Sequence, residues 1–232
     1  MCGRFTLATP QDILAALFAV EGDEDWGGPR YNIAPQTRIR TVRPREGGRR
    51  TQSLLWGALR PGDARPVINA RCETISTSPL FNRGFLTSRL LIPADGFYEW
   101  TRDRGDRRAH YFQQPGGQPF GLAGIGVTPV TGRAGIRTGA DGEETAVILT
   151  TAASDSIKPY HDRMPVLVPA SDFEVWLDPT ANSRVVAAIL AASPSQAWAG
   201  RRVGPLVNQV RNDAIECIRP DDGSPDRQGR LF

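Results

Sequence analysis

The sequence predicts a single α+β domain, sheet-rich, with barrel-like antiparallel or mixed sheets and a few peripheral helices. Short apolar segments bounded by glycine and proline turn signals outnumber helical patterns. Neither an internal repeat nor an interdomain linker interrupts the 232 residues, and 40% apolar content suffices for one core. The domain is expected over residues 2–218. The polar, turn-rich stretch that follows, residues 219–232, reads as a disordered tail.

Each element has its own signal. Thr9-Pro10 followed by Ile13, Leu14, Leu17 and Phe18 predicts a helix with Thr9 as N-cap and Pro10 at the first helical position. Strands are expected at Thr37–Arg43 and, after the Glu46-Gly47-Gly48 turn, at Arg49–Trp56. The series continues at Arg89–Pro93, Gly96–Thr101, Ala109–Gln113, Phe120–Val127 and Thr145–Thr151, with loops at Arg102–Arg108 and at the glycine-rich, mobile Thr128–Gly142. Ser171–Leu177 and Asn182–Ala192 carry helical periodicity, the second through Val185, Val186, Ile189 and Leu190. Arg202–Val210 is expected to return as a strand.

Composition narrows the function classes. No long apolar run and no basic, apolar leader is present, so a soluble, cytoplasmic protein is expected, with no membrane partner. Three scattered cysteines, Cys2, Cys72 and Cys217, make no disulfide framework, and without a C-x-x-C pair no zinc site is expected. The net charge of +3 is modest, but Lys158 is the only lysine among 28 basic residues, which leaves 27 arginines. Arginine suits phosphate and base contacts, although a GC-rich genome explains the same bias.

Chemistry concentrates in a few segments. If Met1 is removed, Cys2 becomes a 1,2-aminothiol: its amine can condense with an aldehyde to a Schiff base, and its thiolate can close a thiazolidine. With a pKa near 8 against about 10.4 for lysine, roughly a tenth of an α-amine is neutral at pH 7. Asn69, where Val67-Ile68 lead into Asn-Ala-Arg-Cys-Glu-Thr, can orient a nucleophile or a sugar hydroxyl, and it equally fits the close of a strand-end turn. In Phe97-Tyr98-Glu99-Trp100 a carboxylate flanked by aromatics would be desolvated and exchange protons near neutrality; a surface glutamate fits as well. His161 stands in a loop between two prolines beside Asp162 and Arg163, whereas His110 lies in an alternating strand where a solvent-facing position explains it. Arg30-Tyr31-Asn32-Ile33-Ala34-Pro35 is polar and aromatic but also reads as a plain loop.

Taken in order, Met-Cys-Gly-Arg-Phe, Tyr-Asn-Ile-Ala-Pro, Asn-Ala-Arg-x-Glu-Thr, Pro-Ala-Asp-Gly-Phe-Tyr-Glu-Trp and His-Asp-Arg-Met-Pro resemble the SOS response-associated peptidase family, from about Cys2 to Asn208. The resemblance implies an abasic-site DNA-protein cross-linking enzyme that uses no cofactor or metal. After Met1 removal Cys2 would bond to the C1′ aldehyde of a ring-opened abasic sugar in single-stranded DNA. Asn69 would position it, while Glu99 and His161 move protons. Arg4, Arg71 and Arg163 would hold phosphates, with Trp56 and Trp100 stacking near the lesion. Weak lyase activity and autoproteolytic removal of the first residue belong to the same implication, as do a nucleoid-associated monomer and replication-fork partners. One departure is Phe81-Asn82, with Arg83 next, where family members often carry Phe-Arg; it puts a basic contact in doubt. Competing readings are an N-terminal-nucleophile amidohydrolase or peptidase, and a non-catalytic single-strand-binding module.

Overall fold

A computed structural model describes residues 2–22, 25–58, 65–103, 106–128, 143–193 and 197–221. Residues 129–142 of the expected mobile loop, and the tail beyond Asp221, lie outside the described residues. In chain order the elements are β1 (Phe5–Leu7), α1 (Gln11–Phe18), β2 (Arg30–Ile33), β3 (Arg38–Arg45), β4 (Gly48–Trp56), β5 (Asn69–Arg71), α2 (Asn82–Thr87), β6 (Arg89–Ala94), β7 (Gly96–Asp103), β8 (Asp106–Gln113), β9 (Phe120–Val127), β10 (Thr145–Ala152), β11 (Arg163–Pro165), β12 (Leu167–Val168), α3 (Phe173–Leu177), α4 (Ser183–Ala192) and β13 (Ala199–Val203), with 3-10 turns between some of them.

The strands form two sheets, as the predicted class requires. One runs β13-β8-β7-β1-β2, entirely antiparallel. The other runs β11-β10-β4-β3-β6-β9-β12, and because β10 also pairs with β9 its central strands return on themselves as a barrel-like ring. The mixed character comes from β10, which is parallel to β4 and β5. Strands β6, β9 and most of β10 are buried on both faces and therefore read as near-continuous apolar runs. No helix among the described residues is long and apolar enough to cross a membrane.

Several boundaries move for identifiable reasons. Helix α1 begins at Gln11, one residue later than expected; Pro10 is the capping residue and makes no side-chain cap bond. The Thr9 hydroxyl bonds instead to Asp95 at 3.0 Å. The Arg102–Arg108 loop shrinks to a hairpin, since β7 and β8 stay paired to Asp103↔Asp106. The strand expected at Arg202–Val210 starts earlier and stops at Val203, because Gly204-Pro205 opens a 3-10 turn over Pro205–Asn208. The predicted second helix holds, with Asn182 as its N-cap accepting from the Arg184 amide at 2.8 Å. Its buried face is Val186, Ile189 and Leu190, while Val185 points outward at 47% exposure. Arg219–Asp221 are tied to the body by the Arg202–Asp221 ion pair at 2.7 Å and by the Asp221 amide on the Arg202 carbonyl.

Candidate active site at the amino terminus

Strand β1 lies in the first sheet between the edge strand β2 and the central strand β7. Its register sets Phe5 opposite Phe97, and the Tyr98 amide donates to the Arg4 carbonyl at 2.9 Å, so the chain leading into β1 runs back alongside Glu99. Cys2 is fully buried there. From the second sheet, Asn69 at the start of β5 donates through Nδ2 to the Cys2 carbonyl at 3.0 Å. Cys2 is thereby tied to the second sheet beside its own place at the head of the first. Asn69 Oδ1 is buried without a hydrogen-bond partner, a costly arrangement unless a ligand or a changed N-terminus supplies a donor.

Electrostatics distinguish this pocket from ordinary core. Burial, and secondarily the Glu99 carboxylate, push the Cys2 thiol far above its usual range, so at rest it holds its proton. Glu99 is 3% exposed. Burial raises its pKa to about 7, helped by the charge of Asp162 and opposed by the positive amino terminus and by Arg107. A carboxyl poised there is divided between acid and base at neutral pH.

His110, opposite Glu99 in the β7–β8 register, packs on Tyr160, which brings the loop after β10 alongside the pocket. In that loop His161 Nδ1 accepts from the Arg163 amide at 2.9 Å and also lies 2.8 Å from Asp162. One nitrogen cannot accept the first and donate to the second at once. Burial lowers the His161 pKa, and the amino-terminal charge lowers it further, which favours the neutral ring with Nδ1 accepting and the proton on Nε2. On protonation, Nδ1 would turn from the amide to Asp162.

The expected DNA-contact residues divide. Trp100 is partly exposed, and its Nε1 donates to Asn208 Oδ1 at 2.8 Å. Arg71 is exposed at the end of β5 and has no ion partner among the described residues. Arg4 is 9% exposed and donates through Nη1 to Asn32 Oδ1 at 2.6 Å and to the Val207 carbonyl at 2.9 Å; Nη2 is used in neither bond. Arg163 is clamped bidentately by Glu73 at 2.6 and 2.9 Å, so a phosphate would have to displace that carboxylate. Trp56 corrects the expectation: it is wholly buried, its Nε1 donates to the Ile68 carbonyl at 3.0 Å and its ring meets Phe5 edge-on, so no base can stack on it. Arg83 is exposed in the first turn of α2, and Asn82 ties that turn to the Ser76 carbonyl.

Sequence reasoning passed over other residues. Asp95 accepts from the Thr6 hydroxyl, from the Ala8 and Thr9 amides at 2.5 and 2.8 Å and from the Thr9 hydroxyl, anchoring the chain between β1 and α1. Asn32, in the segment that also read as a loop, is buried and donates to the carbonyl of Asn212 at 2.6 Å. The expected solvent-facing His110 is partly buried: it stands opposite Glu99 in the β7–β8 register and packs on Tyr160, the residue before His161, with ring centroids 4.5 Å apart. The signal for His110 was its strand position eleven residues after Glu99 across a hairpin.

Fold and site together define a protein in which the second residue, a buried cysteine, is held by an asparagine from the opposing sheet close to a desolvated carboxyl. The chain belongs to the SOS response associated peptidase (SRAP) family, whose family model matches residues 1–210. It is 29% identical over 229 residues to the abasic site processing protein YedK of Escherichia coli (strain K12), covering 95% of this chain and 100% of that one. It is 30% identical over 232 residues to the abasic site processing protein YoqW of Bacillus subtilis (strain 168), covering 94% and 99%. Among solved structures it is similar to a phage-related protein of Bordetella bronchiseptica, with a TM-score of 0.71 and 28% identity over 87% of this chain and 94% of that one.

Proposed function

We propose that this protein is an abasic-site processing enzyme that captures single-stranded DNA covalently through Cys2 once Met1 has been removed, acting in the cytoplasm on damaged DNA. The observation that carries the reading is the buried Cys2 beside Glu99, whose carboxyl titrates at about 7, with Asn69 holding the Cys2 carbonyl at 3.0 Å. The names of the relatives support the substrate class.

The chemistry follows from these groups. Protonated Glu99 donates to the sugar ring oxygen while the C1′ hydroxyl gives up its proton to water, and the abasic hemiacetal opens to its C1′ aldehyde. The freed amine of Cys2 adds to C1′, and the carbinolamine loses one water to give an iminium. His161 relays protons in that step, and its lowered pKa, which favours the neutral ring, supports the role. The thiol then gives its proton to the Glu99 carboxylate, sulfur bonds to C1′, and the iminium electrons return to nitrogen, closing the thiazolidine. A thiol that burial keeps protonated stays unreactive until the iminium appears. Closure also protects the strand: the open iminium acidifies the C2′ protons and permits slow β-elimination, a weak lyase activity, whereas the ring has no iminium left. Self-removal of Met1 is a further activity for the same groups.

Intact-mass analysis with an oligonucleotide carrying one abasic site tests the reading. The expected product is the Met1-less protein plus the oligonucleotide less one water, absent for Cys2→Ala and for a protein with residues added before Cys2. Binding with no adduct would leave a non-catalytic single-strand-binding module; amide turnover without DNA would indicate an N-terminal-nucleophile hydrolase. An N-terminally extended protein that cross-links at the normal rate would refute the aminothiol mechanism.

A further inference from the structure

Two guanidiniums converge on one indole at the edge of this pocket. Arg107 at the start of β8 lies over the Trp100 ring at 4.6 Å from its centroid, and Arg4 lies over the same ring at 5.7 Å. The two cations feel each other: the Arg4 pKa is lowered, first by burial and next by Arg107. Neither is held in an ion pair with a carboxylate among the described residues. Arg4 is hydrogen-bonded to an amide oxygen and a backbone carbonyl, and Arg107, which is exposed, has no carboxylate partner among the described residues. Arg163 and Arg30 differ on this point, since Glu73 clamps the first and Asp213 the second. The Asn208 bond to Nε1 fixes the indole plane. Like charges gathered at one indole repel, and an anion that joined both would relieve the repulsion.

Resting on the single-stranded DNA reading above, we propose that Arg107 is a phosphate-binding residue: with Arg4 Nη2 it holds one backbone phosphodiester against the edge of Trp100, next to the nucleotide that enters the Cys2 pocket. The planar guanidinium keeps its ring contact with Trp100 while its outer N–H groups face the phosphate, a combination that lysine cannot reproduce. Arg107 thus joins backbone capture to the stacking platform beside Glu99, which Trp100 follows directly in β7.

The test uses the full chain and a single-stranded oligonucleotide with no abasic site, titrated at several salt concentrations. Holding one phosphate contributes about −0.7 to the slope of log K against log salt on a single strand. Arg107→Ala is expected to make the slope shallower by about 0.7 and to weaken binding roughly tenfold near 0.1 M salt. Arg107→Lys is expected to keep the slope but bind more weakly than the native protein, and Arg184→Ala, an exposed arginine on α4, to change neither. An unchanged slope in Arg107→Ala, or an equal change in Arg184→Ala, overturns the assignment. Because this oligonucleotide offers no aldehyde, the measurement does not depend on whether Cys2 cross-links. Failure of the covalent reading and failure of this one are therefore distinguishable.

Discussion

Two carboxylates four residues apart, Asp95 and Glu99, serve opposite purposes. Asp95 receives four hydrogen bonds from Thr6, Ala8 and Thr9, so its charge is fully met by donors that the chain before α1 supplies. Glu99 is buried, and that burial outweighs the nearby positive charges and raises its pKa to about 7. A carboxylate whose donors are supplied locks structure; one denied solvation keeps a proton in reserve. The same contrast separates Asn32, which is buried and spends its amide on backbone carbonyls, from Asn69, whose Oδ1 is left without a partner. Motif membership alone does not distinguish the two kinds.

The strongest way to break this comparison is Glu99→Gln. Loss of the proton carrier should slow adduct formation by about 10²–10⁴-fold, equivalent to roughly 3–5 kcal/mol of barrier. Stability should move the other way. The folded protein binds this proton more tightly than the unfolded chain does, so the stabilising contribution is complete below the ordinary value of 4.5 and is lost as pH rises towards 7. The loss amounts to about 3 kcal/mol in the native protein. Denaturant unfolding at pH 5 and pH 8 should show that fall in the native chain and its absence in Glu99→Gln. A parallel fall in both would mean that Glu99 is not the group held near 7.

Asp95→Ala should do the reverse. Removing the acceptor strands four donors and should cost about 3 kcal/mol of folding stability. At a temperature where the variant remains folded, the chemical step on saturating DNA should stay within a few-fold of native. A loss comparable to that of Glu99→Gln under those conditions would erase the distinction between the two acids.

What was legible in the sequence follows the range of the interactions. Helix α4 was readable because its cap, Asn182, and its buried stripe are local. The desolvation of Glu99 was half legible, because aromatic residues flank it in sequence while a surface position fitted as well. Asp95 was missed because it caps a segment more than eighty residues earlier in the chain. Strand β5 was missed because three residues, paired in parallel with distant β10, leave no local pattern. Arg163 gave no sign that Glu73 would clamp it. Trp56 was assigned to DNA by motif position, yet whether a tryptophan is core or platform is decided by what packs over it.

Trp100 supplies the smallest and most specific test. Trp56 donates to a carbonyl inside the core and touches Phe5, whereas Trp100 is held at its rim by Asn208 with cations over its ring. Replacing Trp100 by Ala should therefore leave folding stability little changed and weaken single-stranded DNA binding by about 1–3 kcal/mol, the usual value of one aromatic–base stack. The loss should be similar for different base sequences, because every base offers a face. Filter binding with homopolymeric and mixed oligonucleotides measures it, and the rate of adduct formation at saturating DNA should remain near native, since the indole carries no proton in the reaction. A strong dependence on base identity would mean that Trp100 reads an edge instead of offering a platform, and the division between an exposed stacking tryptophan and a buried structural one would have to be redrawn.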